Sequence, residues 1–531
     1  MIHWRVLNPN TAPGVKTFPL WIVLPAIFLA VVAVHWPLLR LPYYWDEAGY
    51  YIPAAYDFFR SGSLIPFTTL SNAHPPLPSV YLAASWKLFG FSPFVTRTAM
   101  CAVSALTLTA TWKLALITTG QQSVAASTVA LTALYPVFFA QSSLAHADLF
   151  AAAATLWALT FLFPPGSRSL WLASACFALA VLSKETAIVT PYALAAWELW
   201  LFFHSRSRSH FIRAAILGLP VFPLVLWYLY HWHRTGFVFG NPEYLRYNAT
   251  ATLTPLRVLI AFAHRVLHIT AHINLFVPVA LMLACMLLPP VNEDDGSPRL
   301  RIAFDAQAIF YVVMLANLVL FSILGGALLT RYLLPLYPLV ILLCVNTFRR
   351  RLRYWLRLIA LSAAAFIAGL FFNPPYRFAP EDNLAYRDVI RLHQSAIAQI
   401  KQHYSHSIVL TAWPATDELT KPELGYVEQP IPVVAINNFS YPQIDKAAQL
   451  SEPYGTAFIF STKYDPPHLF LSLGHRNEDI DARFFDFHRD LAPSAIARIL
   501  DGTVVWQQQR KGQWAAVLRF NRPEEAMFGA R

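Results

Sequence analysis

Long apolar runs, separated by short polar loops, occupy the first 372 residues and constrain the fold more than any other feature of the sequence. A helix needs about 20 predominantly apolar residues to cross the hydrocarbon layer of a bilayer. This pattern favours a polytopic α-helical membrane protein. About eleven spans are predicted, near 18–39, 97–118, 123–140, 147–163, 169–183, 187–203, 211–232, 264–288, 303–324, 327–348 and 354–372.

The composition agrees with a membrane protein, because 56% of the 531 residues are hydrophobic and only 13% are charged. The net charge of +11 lies mostly in short loops, which is typical of membrane topology and gives no reason to expect a nucleic-acid partner. The run 18–39 is longer than a signal peptide core and lacks a small-residue cleavage site, so we predict a first anchor. No disulfide framework or CxxC metal site is expected, because the four cysteines lie in predicted spans: Cys101, Cys176, Cys285 and Cys344.

Basic loops set the predicted orientation of the spans. The loops 204–213, 298–301 and 348–357 share a side with the N-terminus only if the short apolar segment 76–89 does not cross. We therefore predict that 76–89 is a juxtamembrane or re-entrant helix on the outer face. The loop 233–257 then lies on the outer face, as do several polar residues near span ends: Asp46, Glu47, His74, Arg97, His146, Asp148, Lys184, Glu185, Arg331 and Tyr332.

Residues 374–531 differ in composition from the rest and predict a soluble α/β domain of about 150 residues. Apolar residues at helical spacing predict a helix over 384–404. Short β-branched and aromatic runs, bounded by proline and glycine, predict strands. No nucleotide-binding glycine loop is present in the sequence. The predicted strands are 407–413, 431–437 and 456–462, followed by a hairpin of 504–509 and 515–520 across Lys511-Gly512-Gln513.

The acidic pair Asp46-Glu47 closely follows the first span, inside the aromatic-rich stretch 41–77. Tyrosine and tryptophan favour the headgroup layer, whereas carboxylates at that depth are costly. Two interpretations are open: the acids cap a short interfacial helix, or they belong to a reaction site. In the second case, the rings of Tyr44 and Tyr50 would line that site.

Further polar side chains lie near span ends. His74 precedes two prolines, and it can bind a phosphate, hold a metal or cap a helix. Asp148 lies near the start of an apolar span. Two explanations are open for it: stabilisation by the helix dipole, or a catalytic role. Lys184 and Glu185 form either an ordinary ion pair at a helical hairpin or part of a site. Arg331 lies inside an apolar stretch, which makes it a functional-site hypothesis, and a guanidinium fits phosphate oxygens.

Three histidines, His264, His268 and His272, follow one another at a spacing of four residues and would share one face of a helix. Two histidines at this spacing can chelate a metal, but no third carboxylate ligand is evident nearby. We therefore interpret them as a polar stripe that lines a cavity, and assign no metal site.

The order of these motifs resembles the GT-C superfamily of integral-membrane glycosyltransferases, over roughly residues 18–348. Within it, the motifs resemble those of the protein O-mannosyltransferases and the aminoarabinose transferases of lipid A, that is, glycosyltransferase family 39 and its relatives. The resemblance rests on an acidic pair after the first span, a His-Pro-Pro-Leu motif, an aspartate opening a later helix, a lysine near a helix end and an Arg-Tyr-Leu-Leu-Pro run.

The resemblance implies a GT-C fold, a sugar donor on a polyprenyl phosphate, and inverting transfer to a lipid, glycan or protein. Asp46 would be the catalytic base, with Glu47 as its companion and Asp148 as a second acid. Arg331 and Lys184 would bind the donor phosphate. The substrate would be lined by His146, Glu185 and Tyr332, together with Tyr44 and Tyr50.

His74 would also bind the donor phosphate, but relatives that act on lipid A often carry lysine at this position. A neutral histidine is a weaker phosphate ligand, so the identity of the donor stays open. A Mg²⁺ or Mn²⁺ ion shared between Asp46 and Asp148 is compatible with the sequence. For a bacterial source, the resemblance implies the inner membrane, with the active site and the C-terminal domain on the periplasmic face.

Two other classes are compatible with parts of the sequence. A secondary transporter would also bury acids and an arginine, but it should show repeated halves, and no repeat is visible. A non-catalytic anchor that presents residues 374–531 as a sensor or binding domain would leave Asp46, Glu47, Asp148 and Arg331 without a role. The glycosyltransferase interpretation accounts for more of the sequence. We therefore predict a transmembrane transferase domain, 1–373, with a catalytic outer loop, 40–96, and the soluble domain 374–531.

Overall fold

The structure is a computed structural model that describes residues 18–520 except 165, 241, 243–245, 247–252, 325, 327, 451–453, 465–481 and 485–488. The chain forms two compact units. The helical unit contains Met1–Leu39 and Ala54–Phe372, and the C-terminal unit contains Arg40–Pro53 and Asn373–Arg531. The segment that carries the acidic pair therefore folds with residues that follow it by more than 300 positions.

Most of the described residues between 20 and 371 are helical, as the apolar runs predict. The helices in the described residues of this region are α1 (Leu20–His35), α2 (Ile52–Ser61), α3 (Leu77–Phe89), α4 (Pro93–Thr119), α5 (Gln122–Leu134), α6 (Pro136–Gln141), α7 (Ala147–Leu162), α8 (Ser167–Ser183), α9 (Val189–Ser205), α10 (Arg208–Gly218), α11 (Val221–Thr235), α12 (Pro255–Thr270), α13 (Phe276–Met286), α14 (Phe304–Ile323), α15 (Tyr337–Arg351) and α16 (Leu356–Phe371).

Six helical stretches of the described residues are long and apolar enough to cross a membrane. Five further apolar helices are shorter, with 10–17 residues each. The polytopic helical fold class is therefore confirmed, and the number of spans, about eleven, stays a prediction. The six stretches are Leu20–Leu38, Pro93–Thr119, Glu185–Ser205, Arg208–Thr235, Pro255–Asn274 and Phe304–Ile323.

The prediction of one continuous span over 264–288 is wrong. Helix α12 ends at Thr270, and α13 begins at Phe276. Between them, Ile273 and Asn274 adopt left-handed conformations with φ of 39° and 67°. The amide of Asn274 donates to Ala365 O at 2.7 Å, so the break is held by a contact with α16. Neither glycine nor proline marks this break in the sequence.

Proline breaks two other predicted spans. Tyr135 is extended, because the residue before a proline avoids the helical region, and it separates α5 from α6. The predicted span 327–348 begins instead with a 3₁₀ turn, Thr330–Leu333, and becomes α-helical only at Tyr337. Pro338 lies in the first turn of α15, where its missing N–H costs no hydrogen bond.

The basic loops 287–303 and 349–355 contact each other. Glu293 forms ion pairs with Arg349 at 2.5 Å and with Arg299 at 3.4 Å. Arg299 Nη1 also donates to Arg349 O at 2.8 Å and to Leu352 O at 3.1 Å. These contacts place both basic loops at one end of the helical unit, in agreement with their predicted location on a common side of the membrane.

The C-terminal unit contains the small α/β domain that the sequence predicts. Strands β1 and β2 are parallel, β1 and β3 are also parallel, and β5 is antiparallel to both β3 and β4. Lys511 and Gly512 connect β4 to β5 with positive φ angles, as a tight hairpin requires. The sheet order is β2-β1-β3-β5-β4, with β1 Val409–Ala412, β2 Val433–Ile436, β3 Thr456–Phe460, β4 Gly502–Arg510 and β5 Gln513–Phe520.

The core of this domain lies between the sheet and its helices. Every residue of β1 and β3 is buried, as expected for central strands with covered faces. The predicted helix is observed at Ala385–His403, and its apolar face includes Leu392 and Ile397 in the same hydrophobic cluster. Further helices in the described part of the domain include Ala415–Thr420, Tyr441–Ala448 and Pro493–Ile499.

Candidate active site

Asp148 connects two cations inside the helical unit. Lys184 Nζ donates to Asp148 Oδ1 at 2.5 Å, and Arg331 Nε lies 3.2 Å from Asp148 Oδ2. All three side chains are buried. Removing a charge from water is costly unless the charge is paired. The carboxylate of Asp148 offsets part of this cost for both cations, and the three side chains together keep a net positive charge. We call Asp148, Lys184 and Arg331 the buried ion cluster.

Each member of the buried ion cluster lies where a helix begins or ends. Asp148 is in the first turn of α7, where the helix dipole favours a negative charge. Lys184 follows α8 in an extended conformation and precedes the 3₁₀ turn Glu185–Ile188. Arg331 lies in the 3₁₀ turn Thr330–Leu333. These chain breaks bring side chains from three separate segments to one point.

The ring of Tyr332 covers one side of the cluster. Lys184 Nζ lies 3.7 Å from the ring centroid, close enough for a cation–π interaction. The guanidinium of Arg331 lies 5.8 Å from the same centroid. Arg265, which is also buried, lies 5.6 Å from this centroid on helix α12. The ring of Tyr332 therefore lies near three cations.

Sequence reasoning missed Arg265. Its Nη1 donates to Leu329 O at 2.7 Å, just before the turn that carries Arg331, and its Nε donates to Phe321 O at 3.0 Å. Arg265 thus holds the end of α14 and the start of this turn. The sequence does mark Arg265 as a candidate, because it is an arginine in the apolar stretch 255–270. The histidines on either side of it favour a polar stripe instead.

His146, a predicted lining residue, is fully buried immediately before α7. Its Nδ1 donates to Gln141 Oε1 at 2.7 Å. Burial, together with the positive charges of Arg331 and Lys184, holds the pKa of His146 well below its usual value. A neutral imidazole therefore lies in the electrostatic field of the buried ion cluster.

His74 pairs with Glu185, so two of the predicted residues are in direct contact. The Nδ1 to Oε2 distance is 2.8 Å. Trp227 Nε1 donates to Ala73 O at 2.9 Å, which fixes the backbone beside His74. Because Glu185 follows Lys184 directly, this pair adjoins the buried ion cluster. This contact gives His74 a carboxylate partner, and its use as a phosphate ligand stays a prediction.

The acidic pair lies in the C-terminal unit, and its two members differ. Glu47 is buried, and its Oε2 accepts a hydrogen bond from the Tyr44 N–H at 2.9 Å. Asp46 precedes the π-helical turn Glu47–Tyr51, makes no side-chain capping hydrogen bond and is half-buried. The Glu47 carboxylate therefore binds the chain just before this turn, and the choice between a capping role and a reaction site for the acidic pair stays a prediction.

The two predicted lining tyrosines near Asp46 pack on residues of the C-terminal domain. The ring of Tyr44 is buried 5.9 Å from the ring of Tyr386, and that of Tyr50 lies 6.0 Å from Trp413. Both tyrosines therefore have structural contacts within this unit, and Tyr50 keeps part of its surface exposed.

The sequence predicts that His264, His268 and His272 share one helical face, and this prediction is wrong. Helix α12 ends at Thr270, so His272 lies in the following turn rather than on the helix. The rings of His268 and His272 still approach to 5.3 Å. Within the described residues, no group of three or more His, Cys, Asp or Glu side chains is arranged to hold a metal ion.

The donor set around Asp148 does not fit a shared divalent cation. Both of its carboxylate oxygens face positive groups, Lys184 on one side and Arg331 on the other. A divalent cation would have to displace at least one of these partners and would be repelled by the other. The same arrangement suits an anion, which would meet an ammonium and a guanidinium at once.

A narrow pocket of about 20 Å³ opens beside the buried ion cluster. Polar atoms line part of it, and Asn317 Nδ2 donates to Thr190 Oγ1 in its wall at 3.0 Å. Its other lining residues include Asp148, Lys184, Thr155, Thr186, Phe321, Tyr332 and Pro335. A small polar group with a negative charge is the ligand that such a lining favours.

Comparisons with known proteins support the resemblance drawn from the sequence. A family model described as dolichyl-phosphate-mannose-protein mannosyltransferase matches residues 73–227. The crystal structure of ArnT from Cupriavidus metallidurans bound to undecaprenyl phosphate has a TM-score of 0.55 and 16% identity, covering 94% of this chain and 98% of that chain. The apo structure of the same protein has a TM-score of 0.51 and 16% identity, with coverage of 94% and 97%.

Comparison with curated protein sequences gives no match. The structural likeness nevertheless extends over almost the whole chain. The resemblance to the GT-C superfamily of membrane glycosyltransferases, predicted from the order of the motifs, is confirmed, and so is the combination of a polytopic helical fold with a small C-terminal sheet domain.

Proposed function

We propose that this chain, which has the GT-C fold, transfers a sugar from a polyprenyl-phosphate-linked donor to a lipid, glycan or protein acceptor. The observation that carries the proposal is the buried ion cluster, in which Lys184 and Arg331 share the single carboxylate of Asp148. The excess positive charge, at helix ends in an apolar protein, suits the phosphate of a lipid-linked sugar. The bacterial inner membrane, with the cluster toward the periplasm, is the proposed location.

The cations would stabilise the departing phosphate. When the bond between the anomeric carbon and the phosphate oxygen breaks, negative charge develops on that oxygen. Lys184 and Arg331 are already held by Asp148, so they need little reorganisation to meet this charge. Tyr332 restricts Lys184 from one side, and the His74–Glu185 pair would contribute a further donor to the phosphate or the sugar.

Asp46 is the proposed base. It would accept the proton of the acceptor hydroxyl as that oxygen attacks the anomeric carbon, and the polyprenyl phosphate would leave on the opposite face. This single displacement inverts the anomeric configuration, and general-base catalysis supplies roughly 10²–10⁴ in rate. Glu47 suits this role less, because it is buried and bonded to the Tyr44 N–H.

The structures compared favour a lipid phosphate as the co-substrate. The ArnT structure with TM-score 0.55 is described as bound to undecaprenyl phosphate. The present chain shares the fold of that protein over 94% of its length. We therefore propose a polyprenyl phosphate sugar as donor for this chain, with the membrane itself as the source of the donor.

Transfer of labelled sugar in reconstituted vesicles tests the proposal. Purified wild type is incubated with polyprenyl-phosphate sugars and an extract of bacterial envelope lipids and glycans, beside Asp46→Asn and the matched control Asp294→Asn. Asp294 is an exposed loop carboxylate. We expect transfer by wild type and by the control, and a loss of at least about 10²-fold in Asp46→Asn.

Two outcomes would contradict the proposal. Absence of transfer by folded wild type with several donors would reject the enzyme and favour a sensor or binding role for the C-terminal domain. Equal transfer by Asp46→Asn and wild type would keep the enzyme and reject Asp46 as its base.

A further inference from the structure

The segment that carries Asp46 is fastened to the C-terminal domain on both sides of the backbone of Tyr43. The Tyr43 N–H donates to Leu424 O at 3.2 Å. The Tyr426 hydroxyl donates to Tyr43 O at 2.9 Å. Tyr43 is buried, so water does not readily compete for either of these hydrogen bonds. The chain is therefore fixed three residues before Asp46.

The residue immediately before Asp46 is held by an aromatic contact. Trp45 has a φ of 47°, a left-handed conformation that a bulky side chain adopts only when its surroundings impose it. Its indole meets Trp413 edge to face, with 5.1 Å between ring centroids and an interplanar angle of 75°. Trp45 also packs against the hydrophobic core of the C-terminal domain. The unusual backbone beside Asp46 is thus maintained by that domain.

The turn after Asp46 is closed by the same tryptophan. A Cβ atom on Gly49 would lie 2.6 Å from Cζ2 of Trp413, much closer than carbon atoms approach. The glycine therefore permits the indole to press directly on the backbone of the turn. Gly49 N–H donates to Trp45 O at 2.9 Å, so this turn encloses Asp46.

We propose that Trp413 is a positioning residue for sugar transfer, which sets the location of Asp46 through Trp45 and Gly49. This inference rests on the proposed function, because it requires that Asp46 is the base. Trp413 lies in the short turn between the buried strand β1 and the helix Ala415–Thr420, so its backbone is held between two regular elements. A catalytic group must be held within about 0.5 Å of its productive position, and supporting residues on rigid elements achieve this.

Kinetics of three variants and one control test the inference. Trp413→Ala removes the contact, Gly49→Ala inserts a methyl group into it without changing the C-terminal domain, and Trp413→Phe keeps an aromatic ring. Trp506→Ala is the matched control, because Trp506 is a half-buried tryptophan that packs on the same core from β4.

We expect kcat to fall about 10²-fold in Trp413→Ala and in Gly49→Ala, because a displacement of about 1 Å has this cost. The KM for the lipid-linked donor should stay within about twofold, since the proposed phosphate ligands are unchanged. Trp413→Phe should restore most of kcat, and Trp506→Ala should keep it. A change of KM alone, or an equal loss of kcat in Trp506→Ala, would overturn the inference.

Hydrogen exchange of the amides of residues 43–51 gives a second measurement that does not need activity. Exchange should be faster in Trp413→Ala and Gly49→Ala than in wild type, and unchanged in Trp506→Ala. If folded wild type transfers no sugar, the proposed function fails, while exchange still reports whether Trp413 holds the segment. Unchanged exchange in both variants would overturn the inference even if the enzyme is active.

Discussion

Two groups of ion pairs in the helical unit use similar side chains in different surroundings. The buried ion cluster places Lys184 and Arg331 around Asp148, whose side chain is 2% exposed. The basic loops place Arg299 and Arg349 around Glu293, which is 37% exposed. Water can solvate Glu293 when its arginine partners are lost, but it cannot reach Asp148. Loss of an ion pair should therefore cost more stability in the buried ion cluster than in the basic loops. Burying the charges of the buried ion cluster costs free energy, and this cost is the physical reason to propose a catalytic role for the cluster.

The largest expected effect comes from Asp148→Asn. Without the carboxylate, two buried cations face each other, and breaking a buried pair in this way typically destabilises a protein by about 3–5 kcal/mol. Unfolding of the purified protein, followed by denaturant titration in detergent, measures the change. Stability within about 0.5 kcal/mol of wild type would show that the cluster is hydrated and that the comparison with the basic loops is incorrect.

Arg331→Lys should reduce activity rather than folding. The charge remains, but the planar fork that can meet two phosphate oxygens is lost, and kcat should decrease about 10²-fold. The matched control is Arg353→Lys on an exposed basic loop, which should leave kcat unchanged. If both variants retain full activity, the guanidinium of Arg331 has no role in transfer.

His146 extends the comparison to pH. Its pKa is lower in the folded protein than in the unfolded chain, where it is about 6.5. Below pH 6.5 the unfolded state therefore binds a proton that the folded state does not, and stability decreases as the pH falls. Thermal unfolding between pH 5 and pH 7.5 should depend less on pH in His146→Gln than in wild type. Parallel curves for the two proteins would contradict this assignment.

The smallest effect is expected for Glu293→Gln. This substitution removes an acid whose side chain is 37% exposed and accessible to water, so the loss of stability should be about 0–1 kcal/mol. Added salt should reduce the difference from wild type, because exposed pairs are screened. A loss comparable to that of Asp148→Asn would remove the distinction between the two groups.

Local patterns in the sequence account for much of the fold and for part of the candidate site. Apolar runs determine the helices, and Asp148, Lys184 and Arg331 are predicted site residues because each is a charge inside such a run or at its end. The hairpin β4–β5 follows from alternating strands around Lys511-Gly512, where glycine permits the turn. These features depend on neighbours within a few residues, so one sequence is sufficient to predict them.

Other features depend on contacts that leave no local signal. The break at Ile273 and Asn274 is stabilised by Ala365, about 90 residues away, and neither glycine nor proline marks it in the sequence. Arg265 binds carbonyl oxygens of Phe321 and Leu329, and carbonyl partners have no sequence preference. The packing of the acidic pair on the C-terminal domain likewise could not be predicted. Tryptophans are common at the membrane surface, so the aromatic residues around the pair do not by themselves indicate a contact with a distant domain.

The bond between Tyr426 and Tyr43 joins residues that are 383 positions apart. Synthesis proceeds at about 5–20 residues per second, so the segment with Asp46 emerges roughly 20–80 s before its partner exists. During that interval the left-handed backbone of Trp45 has nothing to maintain it. A nascent chain, or one truncated before the sheet, would then carry the proposed phosphate ligands without an ordered Asp46. If the chain acts as proposed, synthesis of the C-terminal sheet is the event that makes it competent.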